Sequence, residues 1–353
     1  MYKAMTRAEL AVFAEKLVKG NTVYGVVAKD GQFAWDSIHD HKELVLDYPT
    51  TISSPKKYFL PPTETLLKFK LAANSPDPKA VNESKDAILF GMHACDIYAT
   101  RMLDNAFSET NNDVNYGEKR KKALIIGVSC QPDPDCFCNK MGVDEFVFDQ
   151  KNIQSKSAPF DLFIVNLIHK YVVIIGSARG EEMLKKYAKT IEATTQDIEA
   201  MKIIESKRIE SFTNKFMLNY DQLPKLLAKT YSSPVWKEYA DKCFACGTCN
   251  LVCPTCYCFD IKEEVHLNLK DGLRNRNWDS CMLPMFAEVA GGENFREHVS
   301  DRLRHRLLRK GMYIQEKFGM SGCVGCGRCY RNCTADISIT EMYNRLKEVS
   351  END

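Results

Sequence analysis

No run in this sequence is long and apolar enough to cross a bilayer. The longest apolar stretches, Ala123–Val128 and Tyr171–Gly176, are strand length, far short of the roughly 20 residues that a spanning helix needs. The first ten residues lack the apolar segment of a secretory signal. An excess of one charge is missing too: 48 Lys+Arg stand against 47 Asp+Glu, so neither nucleic-acid coating nor steering to a membrane surface is expected. There is no G-x-G-x-x-G fingerprint, no Ser-His-Asp arrangement and no paired-carboxylate motif. Those absences argue against dinucleotide binding and against side-chain acid–base catalysis. The nearest approach to a phosphate loop is Gly176-Ser-Ala-Arg-Gly180 after an apolar run. Glu181 and Glu182 would repel a pyrophosphate there, so a plain strand-to-helix turn is expected.

What the chain does have is cysteine, 15 in 353 residues. That is too sparse for a disulfide scaffold, and a chain this size can build a core without staples. Metal ligation in a reducing cytoplasm is the natural use of so many thiols.

At roughly 150 residues per domain the length suggests two domains. We expect an α+β protein: a mixed α/β domain over 1–222, then a mostly helical, ferredoxin-like domain over 223–353. An amphipathic helix is expected near Ala8–Lys19, with Leu10, Phe13, Ala14 and Leu17 on one face. Strands are expected at Thr22–Ala28, Gln32–Trp35, Ala87–Gly91, Leu124–Ser129, Phe146–Phe148, Leu162–Ile168 and Tyr171–Ile175. Turn signals such as Asp30-Gly31, Pro61-Pro62, Ser75-Pro76-Asp77-Pro78 and Pro132-Asp133-Pro134 separate them. Helices are expected within Glu181–Lys207, from Pro234 to Asp241, over Phe295–Lys310 and over Ile339–Val349.

One internal repeat decides the chemistry. Cys243-Phe-Ala-Cys246-Gly-Thr-Cys249-Asn-Leu-Val-Cys253-Pro254 is C-x2-C-x2-C-x3-C-P, and Cys323-Val-Gly-Cys326-Gly-Arg-Cys329-Tyr-Arg-Asn-Cys333-Thr334 repeats it with Thr for Pro. Three closely spaced thiolates wrap one [4Fe–4S] cube, and in two-cluster ferredoxins the fourth cysteine of each run serves the other cube. Cluster I then takes Cys243, Cys246, Cys249 and Cys333; cluster II takes Cys323, Cys326, Cys329 and Cys253. Zinc would use two separated C-x2-C pairs and leave the third cysteine of each run idle. The 69 positions between Cys253 and Cys323 read as helices.

A third set, Cys95, Cys130, Cys136 and Cys138, precedes residue 243. Cys95 and Cys130 each follow an apolar strand run, which would place them together at the ligand-binding edge of an α/β sheet. A third [4Fe–4S] cluster is expected there, with buried spare thiols as the plain alternative. Cys256, Cys258 and Cys281 are left over. They could hold a fourth cluster with a non-cysteine ligand, form a reactive sulfur-binding pocket, or simply pack.

The segments Phe90-Gly-Met-His-Ala-Cys95-Asp96, Gly127-Val-Ser-Cys130, Cys136-Phe-Cys138, Cys253-Pro-Thr-Cys-Tyr-Cys-Phe259, Trp278-Asp-Ser-Cys281 and Ala290-Gly-Gly-Glu-Asn-Phe-Arg296 occur in this order. Together they resemble a family of iron–sulfur proteins that includes the iron–sulfur component of anaerobic sulfite reductase and the beta subunit of cytoplasmic sulfhydrogenases. The resemblance runs from about Tyr58 onward. It implies a relay of electrons between two partners. One is a flavin- and NAD(P)-binding reductase subunit; the other is a separate catalytic subunit of sulfite reductase, hydrogenase or heterodisulfide reductase type. An alternative gives the chain its own chemistry, as a sulfur or polysulfide reductase using Cys256, Cys258 and Cys281.

Arg302-Leu-Arg-His-Arg-Leu-Leu-Arg-Lys310 is basic and lies between the motifs. Its cations could sit beside anionic clusters or dock an acidic partner, or they could line a solvated helix face. His93 and His266 are near cysteines in sequence, where packing or loop roles are the simpler expectation.

Overall fold

The computed structural model describes residues 2–71, 77–109 and 112–352. The turn expected at Ser75-Pro76 lies outside the described residues. Twelve strands are described: β1 (Tyr2–Thr6), β2 (Val23–Lys29), β3 (Gln32–Ser37), β4 (Thr63–Lys70), β5 (Lys79–Ala80), β6 (Ala87–Met92), β7 (Ala123–Val128), β8 (Ser157–Asn166), β9 (Lys170–Ser177), β10 (Ile191–Glu192), β11 (Phe259–Val265) and β12 (Asp271–Trp278).

Eight of them form a mixed sheet in the order β10-β1-β9-β8-β7-β6-β2-β3. Its centre, β2-β6-β7-β8, is parallel. Strands β6 and β7 are nearly all apolar and almost wholly buried, as parallel strands covered on both faces must be. Helix Arg7–Gly20 opens with a Thr6–Glu9 capping box and buries Leu10, Phe13, Ala14 and Leu17, the face expected from its periodicity. The turn at Gly176–Gly180 joins β9 to helix Ala178–Tyr187. A Cβ on Gly180 would stand 2.1 Å from the Asp161 carbonyl oxygen, so this glycine serves close packing against β8 and no phosphate is needed to explain it.

The remaining strands form an antiparallel sheet, β11-β12-β4-β5. The stretch between the cysteine motifs, expected to be helical, therefore contains a β-hairpin, with Phe259 opposite Trp278 and Val265 opposite Gly272. Its second strand pairs with β4, about two hundred residues earlier in the chain. The pairing is stabilised by charge as well as by the ladder: Arg276, 1% exposed, meets Glu64 at 2.5 Å and also Asp113, and Glu64 also meets Lys119. A strand whose buried side chains are Arg and Asn carries little period-two apolar signal, which is why the sequence reads otherwise.

Two further expectations are corrected. Phe146–Phe148 is not a strand; residues Val143–Val147 form a short helix after Gly142, and Phe148 packs edge-on against Phe163 at 4.8 Å. The basic helix begins at Val299, not Phe295, runs to Leu308, passes through a π-helical turn at Arg309–Tyr313 and continues over Ile314–Phe318. Buried apolar side chains of both halves, from Phe13 and Phe90 to Leu307 and Tyr343, belong to one contiguous core. No helix among the described residues is long and apolar enough to cross a membrane.

Candidate metal centres

The two motifs fold alike. In each, the second residue after the first cysteine has positive φ (Ala245, +52°; Gly325, +65°), and so does the glycine after the second cysteine (Gly247, +80°; Gly327, +69°). These residues curl the backbone into a concave run of N–H groups suited to anions. Ala245 N–H points to Cys243 Sγ, Gly325 N–H to Cys323 Sγ and Ile337 N–H to Cys333 Sγ, each at 3.4 Å. Gly247 and Gly327 start the short helices Thr248–Leu251 and Arg328–Arg331, which pack against each other.

The fourth cysteine of each motif lies in the charge environment of the other motif. Cys333 acts on the charge of Cys243 together with Cys246. Cys253 acts on Cys323 and on Cys326. Burial pushes Cys249 and Cys323 up to about 12 as free thiols, so metal ligation is what would hold them as thiolates.

In the first half, Met92 of β6 lies opposite Gly127 of β7, and three positions further along the chain, just past each strand's end, come Cys95 and Cys130. The parallel sheet thus delivers both to one edge. The loop after β7 returns Cys136 and Cys138: Cys138 hydrogen-bonds with both Cys136 and Cys95, and Cys130 shares the charge environment of Cys95 and Cys136. All four expected residues come together. His93, stacked on Tyr48 with ring centroids 4.0 Å apart, leaves its buried Nε2 without a partner beside this set. His266 lies apart, in the hairpin turn, bonded to Asp271 at 2.9 Å.

This loop abuts the second motif. Phe137 N–H donates to Gly325 O at 2.7 Å, Cys138 Sγ lies 3.4 Å from the same oxygen, and Cys136 Sγ lies 3.7 Å from Cys326 O. A Cβ on Gly325 would sit 2.5 Å from the Phe137 carbonyl carbon, so only glycine allows the approach.

Cations surround the thiols. Lys56, Arg306 and Lys310 are buried, and none forms an ion pair with a carboxylate among the described residues. Lys56 Nζ donates to the carbonyls of Cys256 (2.9 Å) and Asn250 (3.4 Å), Arg306 Nε to Asn250 Oδ1 (3.2 Å), and Lys310 Nζ to Thr255 Oγ1 (2.6 Å). The groups that favour their charged forms are cysteines. A buried cation without an anion costs several kcal/mol, so this donor set fits thiolate-ligated clusters. No three Cys, His, Asp or Glu side chains among the described residues converge closely enough to grip a single metal ion, which is a poor match to tetrahedral zinc with Zn–S of about 2.3 Å.

The basic stretch is therefore not a solvated face: Arg302, Arg306 and Lys310, four apart, are all buried. That spacing was legible as one helix face. Nothing in the local sequence marks Lys56, Asn250 or the Arg328–Asp96 pair.

The last three cysteines also meet. Cys258 hydrogen-bonds with Cys281, and Asn250 Nδ2 donates to Cys281 Sγ at 2.9 Å; these bonds, with Arg306 and Lys310 nearby, bring the Cys281 thiol down to about 6. Cys256 hydrogen-bonds with Cys253 and is pushed up. All three line a cavity of about 300 Å³.

Residues 242–337 match the 4Fe-4S dicluster domain family. Over 337 residues, 95% of this chain and 95% of the other, the sequence is 36% identical to sulfhydrogenase 2 subunit beta of Pyrococcus furiosus.

Proposed function

The chain belongs to the sulfhydrogenase beta-subunit family of iron–sulfur proteins, and from that premise we propose how it serves as a relay with three centres. It is an electron-transfer subunit of a multisubunit oxidoreductase and carries at least two [4Fe–4S] clusters. In our reading Cys243, Cys246, Cys249 and Cys333 hold cluster I, and Cys323, Cys326, Cys329 and Cys253 hold cluster II. Cys95, Cys130, Cys136 and Cys138 hold cluster III. Residues 1–222 then supply the third centre and 223–353 the other two. The complex works in the cytoplasm, where this chain links a flavin- and NAD(P)-binding partner to a catalytic one.

The observation that carries this reading is the seam between the Cys136–Cys138 loop and the second motif, with its 2.7 Å bond from Phe137 to Gly325. When bound, a [4Fe–4S] cluster takes up and returns one electron. The chain's own residues do the rest. The seam fixes the spacing of two ligand sets, burial of Cys95, Cys136, Cys138 and Cys326 keeps water from the sulfur, and the cations Arg306 and Lys310 favour the more negative, reduced state. Cys246 is the exposed ligand, so cluster I is where a partner approaches.

Iron and acid-labile sulfide per anaerobically purified chain test the reading. At four irons per cube, three centres require about 12 irons. A value of about 8 would confine the clusters to the two C-terminal motifs.

A further inference from the structure

We propose that Cys256, Cys258 and Cys281 hold a fourth iron–sulfur cluster, in which three irons take thiolates and the remaining iron faces a cavity that accepts a small anion. The inference rests on the relay reading above, since its cluster would stand beside Cys253 and extend the same set of centres.

The hairpin builds the site. Phe259 and Trp278 close its base, and the ladder runs one step further, Asp279 N–H donating to Cys258 O at 3.0 Å. Cys281 is thereby folded back onto the Cys256-Tyr-Cys258 segment. Without β11 and β12 these cysteines would be separated by more than twenty residues of chain. Packing alone does not explain the polar surroundings. Asn250, 1% exposed, is held by Arg306 at its oxygen so that its amide nitrogen donates to Cys281 Sγ, which is the orientation a thiolate sulfur requires. Lys56 approaches the same turn through Cys256 O and lies 4.3 Å from the centre of a Trp278 ring.

The cavity beside these thiols, about 300 Å³, is lined by Arg306, Arg309, Lys310 and His305, and no carboxylate lines it. That volume is at the small end for a ligand site, and its charge selects an anion. The π-helical turn at Arg309–Tyr313 places Arg309 and Lys310 there; such turns interrupt helices frequently at functional sites. No fourth cysteine lines the cavity. One iron of a four-iron cluster would therefore lack a thiolate and be free to bind the anion.

The test compares the anaerobically purified full chain with Cys281→Ala and Cys256→Ala. A loss of about four irons in each variant is expected, from about 16 to about 12. An unchanged iron content would overturn the proposal, as would turnover of polysulfide by the isolated chain that Cys281→Ala abolishes without iron loss. The count remaining in the variants judges the relay reading separately: about 12 supports it, and about 8 strikes out its N-terminal centre. Cyanide added to the dithionite-reduced wild-type chain provides a readout independent of any variant's folding. One paramagnetic resonance signal should shift, and Arg309→Gln should weaken the titration. No shift at saturating cyanide would mean that no open iron is present.

Discussion

Arg328 grips both carboxylate oxygens of Asp96 at 2.7 Å, and both side chains are almost completely shielded from solvent. The two neighbours in sequence give the pair its meaning. Arg328 stands between Cys326 and Cys329 of the second motif, and Asp96 follows Cys95 at the start of helix Ala94–Ser108. Two further bonds from Arg328 to Thr51, each 3.0 Å, occupy the rest of the guanidinium fork. One buried, forked pair thus ties the cysteine set of the first half to the second motif.

Breaking that pair should be costly. Arg328→Ala or Asp96→Asn leaves a buried partner uncompensated, which is worth roughly 3–5 kcal/mol. Lysine at 328 should rescue little, because it cannot make the forked contact. Replacing both residues with apolar ones should cost less than either single change. Denaturant midpoints of the anaerobic protein measure this; additive losses in the double variant would sink the account of the pair.

Gly325→Ala tests the seam. The new Cβ would meet Phe137 and Cys138 backbone atoms at 2.5 and 2.6 Å, so the Cys136–Cys138 loop must move away. We expect loss of about four irons with the C-terminal signals still present. Gly319→Ala is the control: it shares the positive φ but meets nothing within 4 Å, and should cost only about 1 kcal/mol with iron retained.

Lys310→Met removes a buried cation that faces Cys253, Cys256 and Cys323. At an effective dielectric constant near 20 a unit charge several ångströms from the added electron is worth roughly 1–2 kcal/mol, so one midpoint potential should fall by roughly 50–100 mV. A redox titration followed by paramagnetic resonance measures it, and unchanged potentials would show that this lysine does not tune a centre.

The parts of the molecule legible in the sequence are those whose signal is local. Helix Arg7–Gly20 buries the four residues its periodicity picks out, and β6 and β7 are continuous apolar runs. The cysteine motifs carry their own spacing. The hairpin was not legible, because β12 finds its partner in distant β4 and buries Asn275 and Arg276 where apolar residues would have announced a strand. The basic stretch 302–310 left its neighbourhood open between anionic clusters, an acidic partner and solvent, and Lys56 carried no local mark, for a related reason. Their burial is tolerable only among anionic sulfur, and no propensity of a lysine or arginine encodes that neighbourhood.

The central claim is that the N-terminal ligand set carries a centre close enough to the second motif for the two to act as one path. Paramagnetic resonance of the fully reduced chain, compared with Cys136→Ala/Cys138→Ala, tests it most directly. The wild-type spectrum should be broadened by coupling between neighbouring spins and simplified in the variant as about four irons are lost. A wild-type spectrum that is a plain sum of isolated centres, unchanged in shape by the double substitution, would contradict it.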